Sequence, residues 1–261
     1  MTTAPGALYL MPNTLDFGIA GTPASLDELL PLAAIRVAAR LGHWVCENAK
    51  TTRAFLKRVD AVIPLARPLQ EISVVELARP PKGRPAAARV AEAAGAAGTR
   101  LLEPARAGFD LGLISEAGLV GLADPGAVVV AAAHAAGLRV IALPGASSPA
   151  LALAASGLDG QSFAFVGYLP IETDARAARI RELETVSRRH AQTQLMIETP
   201  YRNQALLDAL VAHLQPTTSL SVSVGLTTAA ERTRSQPVAH WRAHPLQLAA
   251  DVPAVFALQA R

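Results

Sequence analysis

Three glutamates in this 261-residue chain stand just after short apolar runs that are typical of strands: Glu47, Glu116 and Glu198. A carboxylate in such a place can act as a general base toward a hydroxyl group. Cationic side chains in the same segments can hold phosphate or carboxylate groups. The candidates for catalysis are Glu47, Glu198 and Arg202, and the candidates for holding an anionic group also include Lys50 and Arg53.

Each of these side chains also has a structural interpretation. Glu47 and Asn48 precede a helical pattern, where side-chain oxygens cap the free N–H groups of the first turn. Arg202 stands four residues after Glu198, so the two can pair across a turn. On sequence alone, both interpretations of each residue stay open.

The elements that must position these side chains are clearest at residues 111–126 (LGLISEAGLVGLADPG). A short apolar run at residues 111–114, typical of a strand, leads into a glycine-spaced loop. Asp124 and Pro125 then open an Ala/Val-rich run, as an N-cap and a first helical residue would. Gly137 supplies a left-handed stop, and residues 138–143 form a second β-branched run. This order predicts a βαβ unit of a parallel sheet. Capping is the favoured interpretation of Asp124.

The same order repeats at once. Residues 144–149 (PGASSP) follow the second run, with Ser148 able to cap a helix that begins at Pro149 and ends at Gly157. Ligands of open α/β sheets bind beyond the carboxyl ends of the strands. Two glycine-containing loops at that edge predict a crevice for a flat, polar small molecule.

The remaining pattern predicts two α/β lobes, one of residues 1–160 and one of residues 161–261. Residues 67–85 are expected to be a surface connection, and residues 161–170 a segment that could cross between the domains. We expect further strands at residues 7–11, 43–46, 61–65, 194–197, 219–224, 235–241 and 255–258. We expect further helices at residues 31–41, 49–58, 86–97, 174–190 and 205–214.

Composition limits the class of protein. With 51% hydrophobic and 17% charged residues the chain is typical of a globular protein. No apolar run is long enough for a membrane span, and the first residues lack the pattern of a signal peptide. The single cysteine, Cys46, excludes an internal disulfide and a cysteine metal cluster. We therefore expect a cytoplasmic protein without a metal ion.

The net charge of +3 is compatible with a nucleic-acid partner without requiring one. Basic residues are densest at residues 176–189, where a solvated helix face is the favoured interpretation. The dinucleotide fingerprint, the Walker phosphate loop and the nucleophile elbow are absent from the sequence. His240 and His244 have the spacing of metal ligands, but their irregular context favours a surface position.

Four segments, in this order, resemble one known family. Residues 115–126 (SEAGLVGLADPG) are similar to its SDAGTPGISDPG, and residues 144–148 (PGASS) with 155–158 (ASGL) to its PGPSA loop and ASGL helix end. Residues 165–170 (FVGYLP) are similar to FEGFLP, and residues 197–202 (IETPYR) to YESPHR. The chain thus resembles the tetrapyrrole methylase superfamily, the class III S-adenosylmethionine-dependent methyltransferases. Within it, the chain most resembles the ribosomal RNA small-subunit methyltransferase I branch and its shorter relatives.

This resemblance implies two α/β domains, with a mostly parallel sheet in the first and a mixed sheet in the second. It implies S-adenosylmethionine in the cleft between them, a homodimer, and ribosomal RNA as a 2′-O-methylated substrate. The implied substrate-binding residues are Asn48, Lys50, Arg53 and Tyr201. The implied cofactor-binding residues are Pro12, Asn13, Thr14, Leu15, Glu116, Ala117, Gly118, Leu119, Asp124, Ser147, Ser148, Pro149, Ile197, Glu198, Thr199 and Pro253.

The residue types agree with this cofactor, because Gly118, Gly121 and Gly145 permit close backbone approach. Its methyl group is already activated by the sulfonium, so the protein has mainly to align the reactants. Two alternatives remain open. One is a methylase of the same fold that acts on a tetrapyrrole or another small molecule. The other is a non-catalytic cofactor- or RNA-binding relative, suggested by Asn48 in place of the second acid of the branch's EDTR motif.

Overall fold

The computed structural model of the chain describes residues 4–16, 24–77 and 100–261. It divides into two compact units, the first ending at Ala146 and the second beginning at Ser147. This division falls earlier than the predicted boundary at residues 160/161, because the helix Ser148–Ser156 packs on strands of the second unit. The predicted helix at residues 86–97 lies outside the described residues.

The first unit contains a parallel five-stranded sheet with the order β3-β2-β4-β1-β5. Its strands are β1 (Ala7–Met11), β2 (His43–Cys46), β3 (Ser73–Glu76), β4 (Leu111–Ile114) and β5 (Arg139–Ala142). The described helices of this unit are α1 (Leu26–Leu29), α2 (Leu32–Arg40), α3 (Ala49–Val62), α4 (Glu103–Arg106) and α5 (Ala127–Ala135), with a 3-10 turn at Leu69–Glu71.

Helices cover both faces of this sheet. On one face, Phe55 of α3 packs edge-on against Trp44, with 6.4 Å between the ring centroids. On the other face, Val129 of α5 packs in a buried cluster with Leu113 of β4. All four residues of β4 are buried, as expected for a strand covered on both sides.

The loops around the end of β4 leave the sheet in opposite directions. Helices α1 to α3, which follow β1 and β2, pack on the first face, whereas α5, which follows β4, packs on the second. Strand β4 lies between β2 and β1. In open α/β sheets a crevice forms at such a switch point. The segment that begins at Ser115 therefore stands where a ligand site is expected.

The second unit contains a mixed sheet with the order β6-β7-β10-β8-β9, in which β6 and β7 are parallel and the other pairs antiparallel. This confirms the predicted α/β class. The strands are β6 (Phe163–Tyr168), β7 (Thr193–Ile197), β8 (Ser219–Val224), β9 (Arg232–Pro237) and β10 (Ala254–Gln259). The helices are α6 (Ser148–Ser156), α7 (Thr173–His190), α8 (Asn203–His213) and α9 (Val238–Ala243), with a 3-10 turn at Pro200–Arg202.

Helix α7 carries the basic group at residues 176–189. It buries Ile180 and Leu183 against the second core. On its partly exposed side, Arg179 pairs with Glu182 at 2.7 Å. This arrangement agrees with the solvated face predicted for these residues.

Three predictions of local structure are wrong. Residues 61–65 form no strand, because Ala61 and Val62 complete α3. The predicted strand at residues 235–241 stops at Pro237, and α9 begins at Val238, since proline suits the start of a helix. Residues 73–76, predicted as part of a surface connection, form strand β3, whose four residues are largely exposed.

Two helix starts also differ from their predictions. Helix α5 has Gly126 as its N-cap, and Asp124 instead accepts hydrogen bonds inside its own loop. Helix α6 has Ser147 rather than Ser148 as its N-cap, without a side-chain capping bond. The left-handed stops are confirmed, since Gly137 and Gly157 both have φ of +68°.

Within the described ranges, no helix has the length and apolar character needed to cross a membrane. The same residues contain no group of three or more side chains arranged to hold a metal ion. The rings of His240 and His244 stack on each other with centroids 4.3 Å apart.

Candidate functional site

Asn13 joins the loop after β1 to the loop after β4. Its Nδ2 donates to the carbonyl oxygens of Ser115 (2.9 Å) and Glu116 (3.1 Å), and its backbone N–H donates to the carbonyl of Gly118 (2.9 Å). Its Oδ1 accepts from the N–H of Thr14 at 2.9 Å. Because both polar atoms of its side chain are engaged in these bonds, Asn13 holds the two loops together at the carboxyl edge of the sheet.

Arg58 of α3 anchors Thr14 and Asp16 in the same loop. Its guanidinium donates to both carboxylate oxygens of Asp16, at 3.3 and 3.0 Å, and to Thr14 Oγ1 at 3.2 Å. The Thr14 hydroxyl also bonds to Asp16. Burial by itself would raise the pKa of Asp16, but the bonds from Thr14 and Arg58 outweigh it and the pKa is lowered. Asn13 and Arg58 therefore hold residues 12–16 of this loop between them.

Three acidic side chains gather around the end of β4. Glu47 Oε1 accepts from the backbone N–H of Glu116 at 3.2 Å, and Glu116 Oε1 accepts from the hydroxyl of Thr51 at 2.6 Å. Asp124 accepts from the N–H groups of Gly121 (2.7 Å) and Gly126 (2.6 Å) and so braces the glycine loop. Negative charge is thus concentrated at the switch point of the sheet.

The pKa values in this cluster reflect its burial. Burial raises the pKa of Glu47 above its usual 4.5, the bond from Glu116 opposes this, and the charges of Asp124 and Glu116 raise it further. Burial also raises the pKa of Asp124, against the bonds from Gly126 and Gly121. Since both carboxylates are destabilised in the folded state, a cation beside them would be bound favourably.

We expect Glu47→Gln to stabilise the protein near neutral pH. Because the folded-state pKa is raised, the folded state holds the proton more tightly and stability falls as pH rises from about 4.5 through that pKa. Glutamine removes this dependence and keeps an oxygen for the N–H of Glu116. Thermal unfolding should therefore show a gain in Tm that grows between about pH 4 and about pH 7.

The matched control is Glu103→Gln, at an exposed position on α4. This variant measures what the loss of an exposed carboxylate does to Tm over the same pH range. A gain in Tm for Glu47→Gln that does not exceed that of the control would contradict the effect of burial on Glu47.

Asn48 is the N-cap of α3, and its Oδ1 accepts from the N–H groups of Lys50 (2.9 Å) and Thr51 (3.4 Å). Capping is therefore confirmed for Asn48, whereas Glu47 points to the β4 loop instead. Lys50 is exposed and Arg53 half-buried, both in the first turns of α3. Their contact with a substrate stays a prediction.

The loops after the neighbouring strands β1 and β5 touch at Gly145. A Cβ atom there would lie 2.2 Å from Pro12 Cβ and 2.7 Å from Pro12 Cγ. At Gly118, where φ is +70°, a Cβ atom would lie 3.3 Å from Leu15 Cδ2. The edge therefore requires glycine at Gly145 for space and at Gly118 for its backbone conformation.

In the second unit, Glu198 follows β7 and is 8% exposed. Its Oε1 accepts from Arg202 Nη2 (2.7 Å), the N–H of Thr199 (2.7 Å) and the hydroxyl of Thr199 (3.2 Å). The pairing of Glu198 with Arg202, which the sequence left open, is present. Arg202 Nε is buried and has no hydrogen-bond partner in the described part of the chain.

The remaining predicted residues of this unit lie at two further places. Pro253 precedes β10, whose Val255 pairs with Ile197 at the end of β7. Ser147, Ser148 and Pro149 start α6, which packs on β8 and β10. The structure thus divides the predicted residues between the two units. Their contacts with cofactor and substrate stay predictions.

No model of a known protein family matches the chain. In sequence it is similar to ribosomal RNA small subunit methyltransferase I of Mesorhizobium japonicum, at 34% identity over 160 residues, which are 61% of this chain and 52% of that protein. It is also similar to the protein of the same name from Micromonospora olivasterospora, at 30% identity over 209 residues, which are 80% of this chain and 56% of that protein. The chain therefore spans about half the length of the curated relatives it matches.

Solved structures identify the fold. Uroporphyrin III C-methyltransferase from Thermus thermophilus in its native form matches with a TM-score of 0.51 and 20% identity over 97% of each chain. The methyltransferase CobJ matches with a TM-score of 0.52 and 15% identity, over 98% of this chain and 94% of that one. The chain has the tetrapyrrole methylase fold. The resemblance predicted from four short motifs is confirmed.

Three residues near the carboxyl ends of the first unit's strands were not predicted from the sequence: Asp16, Thr51 and Arg58. Each acts through a side chain on another segment, as when Arg58 reaches Asp16 or Thr51 reaches Glu116. A local pattern carries no signal for such contacts. Only the pairing of the strands brings them together.

Proposed function

We propose that the protein is an S-adenosylmethionine-dependent methyltransferase that methylates RNA. The observation that carries this proposal is the switch point at the end of β4, where Glu47 and Glu116 stand beside loops built with glycine. The relatives named ribosomal RNA small subunit methyltransferase I support RNA as the acceptor.

The residues at this edge fit the cofactor. S-adenosylmethionine carries a sulfonium and an ammonium group, and both are cations that suit a pair of partly buried carboxylates. Gly118 and Gly145 leave room for close backbone approach. When bound, the cofactor supplies a methyl group that its sulfonium has already activated. The protein then has to hold the acceptor in line and exclude water.

A ribose hydroxyl needs a base to become a good nucleophile. Glu47 suits this role better than Glu198, because Glu198 Oε1 already accepts three hydrogen bonds. Glu47 accepts a single bond, at 3.2 Å, within the described residues, and burial raises its pKa, which strengthens it as a base. We therefore assign Glu47 as the general base and Glu198 as the residue that positions Arg202.

Lys50 and Arg53, on the helix that follows Glu47, are suited to hold the phosphates of the RNA backbone. The net charge of +3 is favourable for such a partner. The proposal also includes a homodimer and a place of action in the cytoplasm. Light scattering on the purified protein tests the homodimer, because it gives the mass of the particle in solution.

The test is a calorimetric titration of the purified protein with S-adenosylmethionine and with its demethylated product. We expect binding of about one molecule per chain at the micromolar scale typical of enzymes. Transfer of a labelled methyl group to undermethylated ribosomal RNA is then expected, and to be lost in Glu47→Ala. A folded sample that binds neither compound, with or without RNA, contradicts the proposal. Transfer to a small molecule but not to RNA supports the alternative acceptor.

A further inference from the structure

Two of the three tyrosines in the chain are exposed at neighbouring strand ends of the second unit. Tyr168 is the last residue of β6 and is 54% exposed, and Tyr201 follows β7 and is 71% exposed. Because β6 and β7 are parallel and Tyr168 pairs with Ile197, both rings lie at the same edge of the sheet. Single exposed apolar residues are common, but two aromatic rings at adjacent strand ends form a surface.

Arg202 lies beside the Tyr201 ring. Its guanidinium carbon is 5.4 Å from the centre of the Tyr201 ring, and its Nη2 is fixed by Glu198 at 2.7 Å. The hydrogen bond to Glu198 raises the pKa of Arg202, burial opposes this, and the charges of Tyr201 and Tyr168 raise it further. The Arg202 guanidinium therefore stays charged and lies over the Tyr201 ring.

The backbone holds these side chains in place. Strand β6 contains a bulge between Phe165 and Gly167, where φ is +71°, immediately before Tyr168. A bulge turns the side chain that follows it relative to the strand. Leu169, the next residue, is buried at 4% exposure, and Tyr201 belongs to the 3-10 turn that Glu198 and Thr199 support. The rings are thus presented on rigid elements.

We infer that Tyr168, Tyr201 and Arg202 form a stacking surface for unpaired bases of single-stranded RNA. The inference rests on the proposed function, since it describes how the RNA acceptor would be held. Aromatic rings and guanidinium planes are the groups on which splayed-out bases stack. The positive charge of Arg202 is balanced by Glu198, so the surface offers flat faces rather than net charge. This suits a neutral planar base better than a macrocycle that carries several carboxylates.

The experiment is a titration of a fluorescently labelled, non-self-complementary oligoribonucleotide, followed by anisotropy. Tyr168→Ala and Tyr201→Ala are each expected to weaken binding about 5- to 100-fold, because each removes a stacked ring. Tyr168→Phe and Tyr201→Phe should bind almost as the wild type does, since the ring is kept. The matched control is Phe163→Ala, which removes a ring of 52% exposure at the opposite end of β6 and should leave binding unchanged.

Three results would overturn the inference. The first is wild-type affinity in both alanine variants, and the second is stronger binding of the wild-type protein to a duplex of the same sequence. The third is a change of oligomeric state in Tyr201→Ala, which would assign the surface to contact between copies of the chain. Titration of every variant with S-adenosylmethionine separates this inference from the proposed function. Tyrosine-dependent RNA binding without cofactor binding keeps the surface and rejects the methyltransferase. Cofactor binding together with RNA binding that does not depend on the tyrosines keeps the methyltransferase and rejects the surface.

Discussion

Replacing Gly145 with alanine is expected to lower the affinity for S-adenosylmethionine by about tenfold or more, the equivalent of the ~1–3 kcal/mol strain of an overpacked site. The new Cβ atom would lie 2.2 Å from Pro12 Cβ, and a proline ring next to its own backbone cannot turn away as a flexible side chain would. The loops after β1 and β5 must therefore separate. Calorimetric titration and denaturant unfolding measure the two consequences, weaker binding and lower stability.

Gly160→Ala is the matched control for this substitution. No atom lies within 4 Å of a Cβ atom at Gly160, which is an exposed residue of the second unit. Its affinity and stability should stay at the wild-type values. A Gly145→Ala variant that binds the cofactor normally would show that the contact with Pro12 does not shape the site.

Glu198→Ala is expected to lower the free energy of unfolding by about 2 kcal/mol, because Arg202 and Thr199 lose a shared, buried acceptor. A double-mutant cycle with Arg202→Ala should give a coupling energy of about 1–3 kcal/mol. The control cycle is Arg179 with Glu182, a more exposed pair on α7, for which less than about 1 kcal/mol is expected. Denaturant unfolding of the two sets of variants supplies both values.

Glutamine substitutions at Glu47 and Glu198 decide which of the two glutamates acts as the general base. If Glu198 were the general base, Glu198→Gln would abolish methyl transfer with little change in stability. We expect the reverse assignment, with transfer reduced at least about 100-fold in Glu47→Gln and the fold retained. Equal activity of Glu47→Gln and wild type would remove Glu47 from the reaction.

Three strands of the first unit were the most predictable part of the molecule. Strands β1, β2 and β4 were predicted to the residue, because each is a short apolar run bounded by turn-forming residues. A strand buried on both faces leaves a continuous apolar signal. The edge proposed for the site followed from the same runs, since polar residues after parallel strands meet at one edge.

Two kinds of feature were not predictable. Strand β3 is short and largely exposed, so its sequence, SVVE, carries little apolar signal. Asp124 has the sequence of a cap, but its carboxylate bonds to Gly121 and Gly126 because the loop folds back on itself before the helix begins. Whether Arg202 pairs with Glu198 depended on the directions of the two side chains, which no spacing specifies.

The strand order has a consequence for how the chain is made. Strand β1 lies between β4 and β5, and Ala7 accordingly bonds to Asp110, 103 residues further along the chain. At synthesis rates of about 5–20 residues per second, a nascent β1 waits about 5–20 seconds for its first partner. During that time its apolar side chains and backbone N–H groups have no neighbouring strand. The sheet of the first unit therefore closes late on the ribosome, and a chain stopped before β4 leaves β1 without its two neighbours.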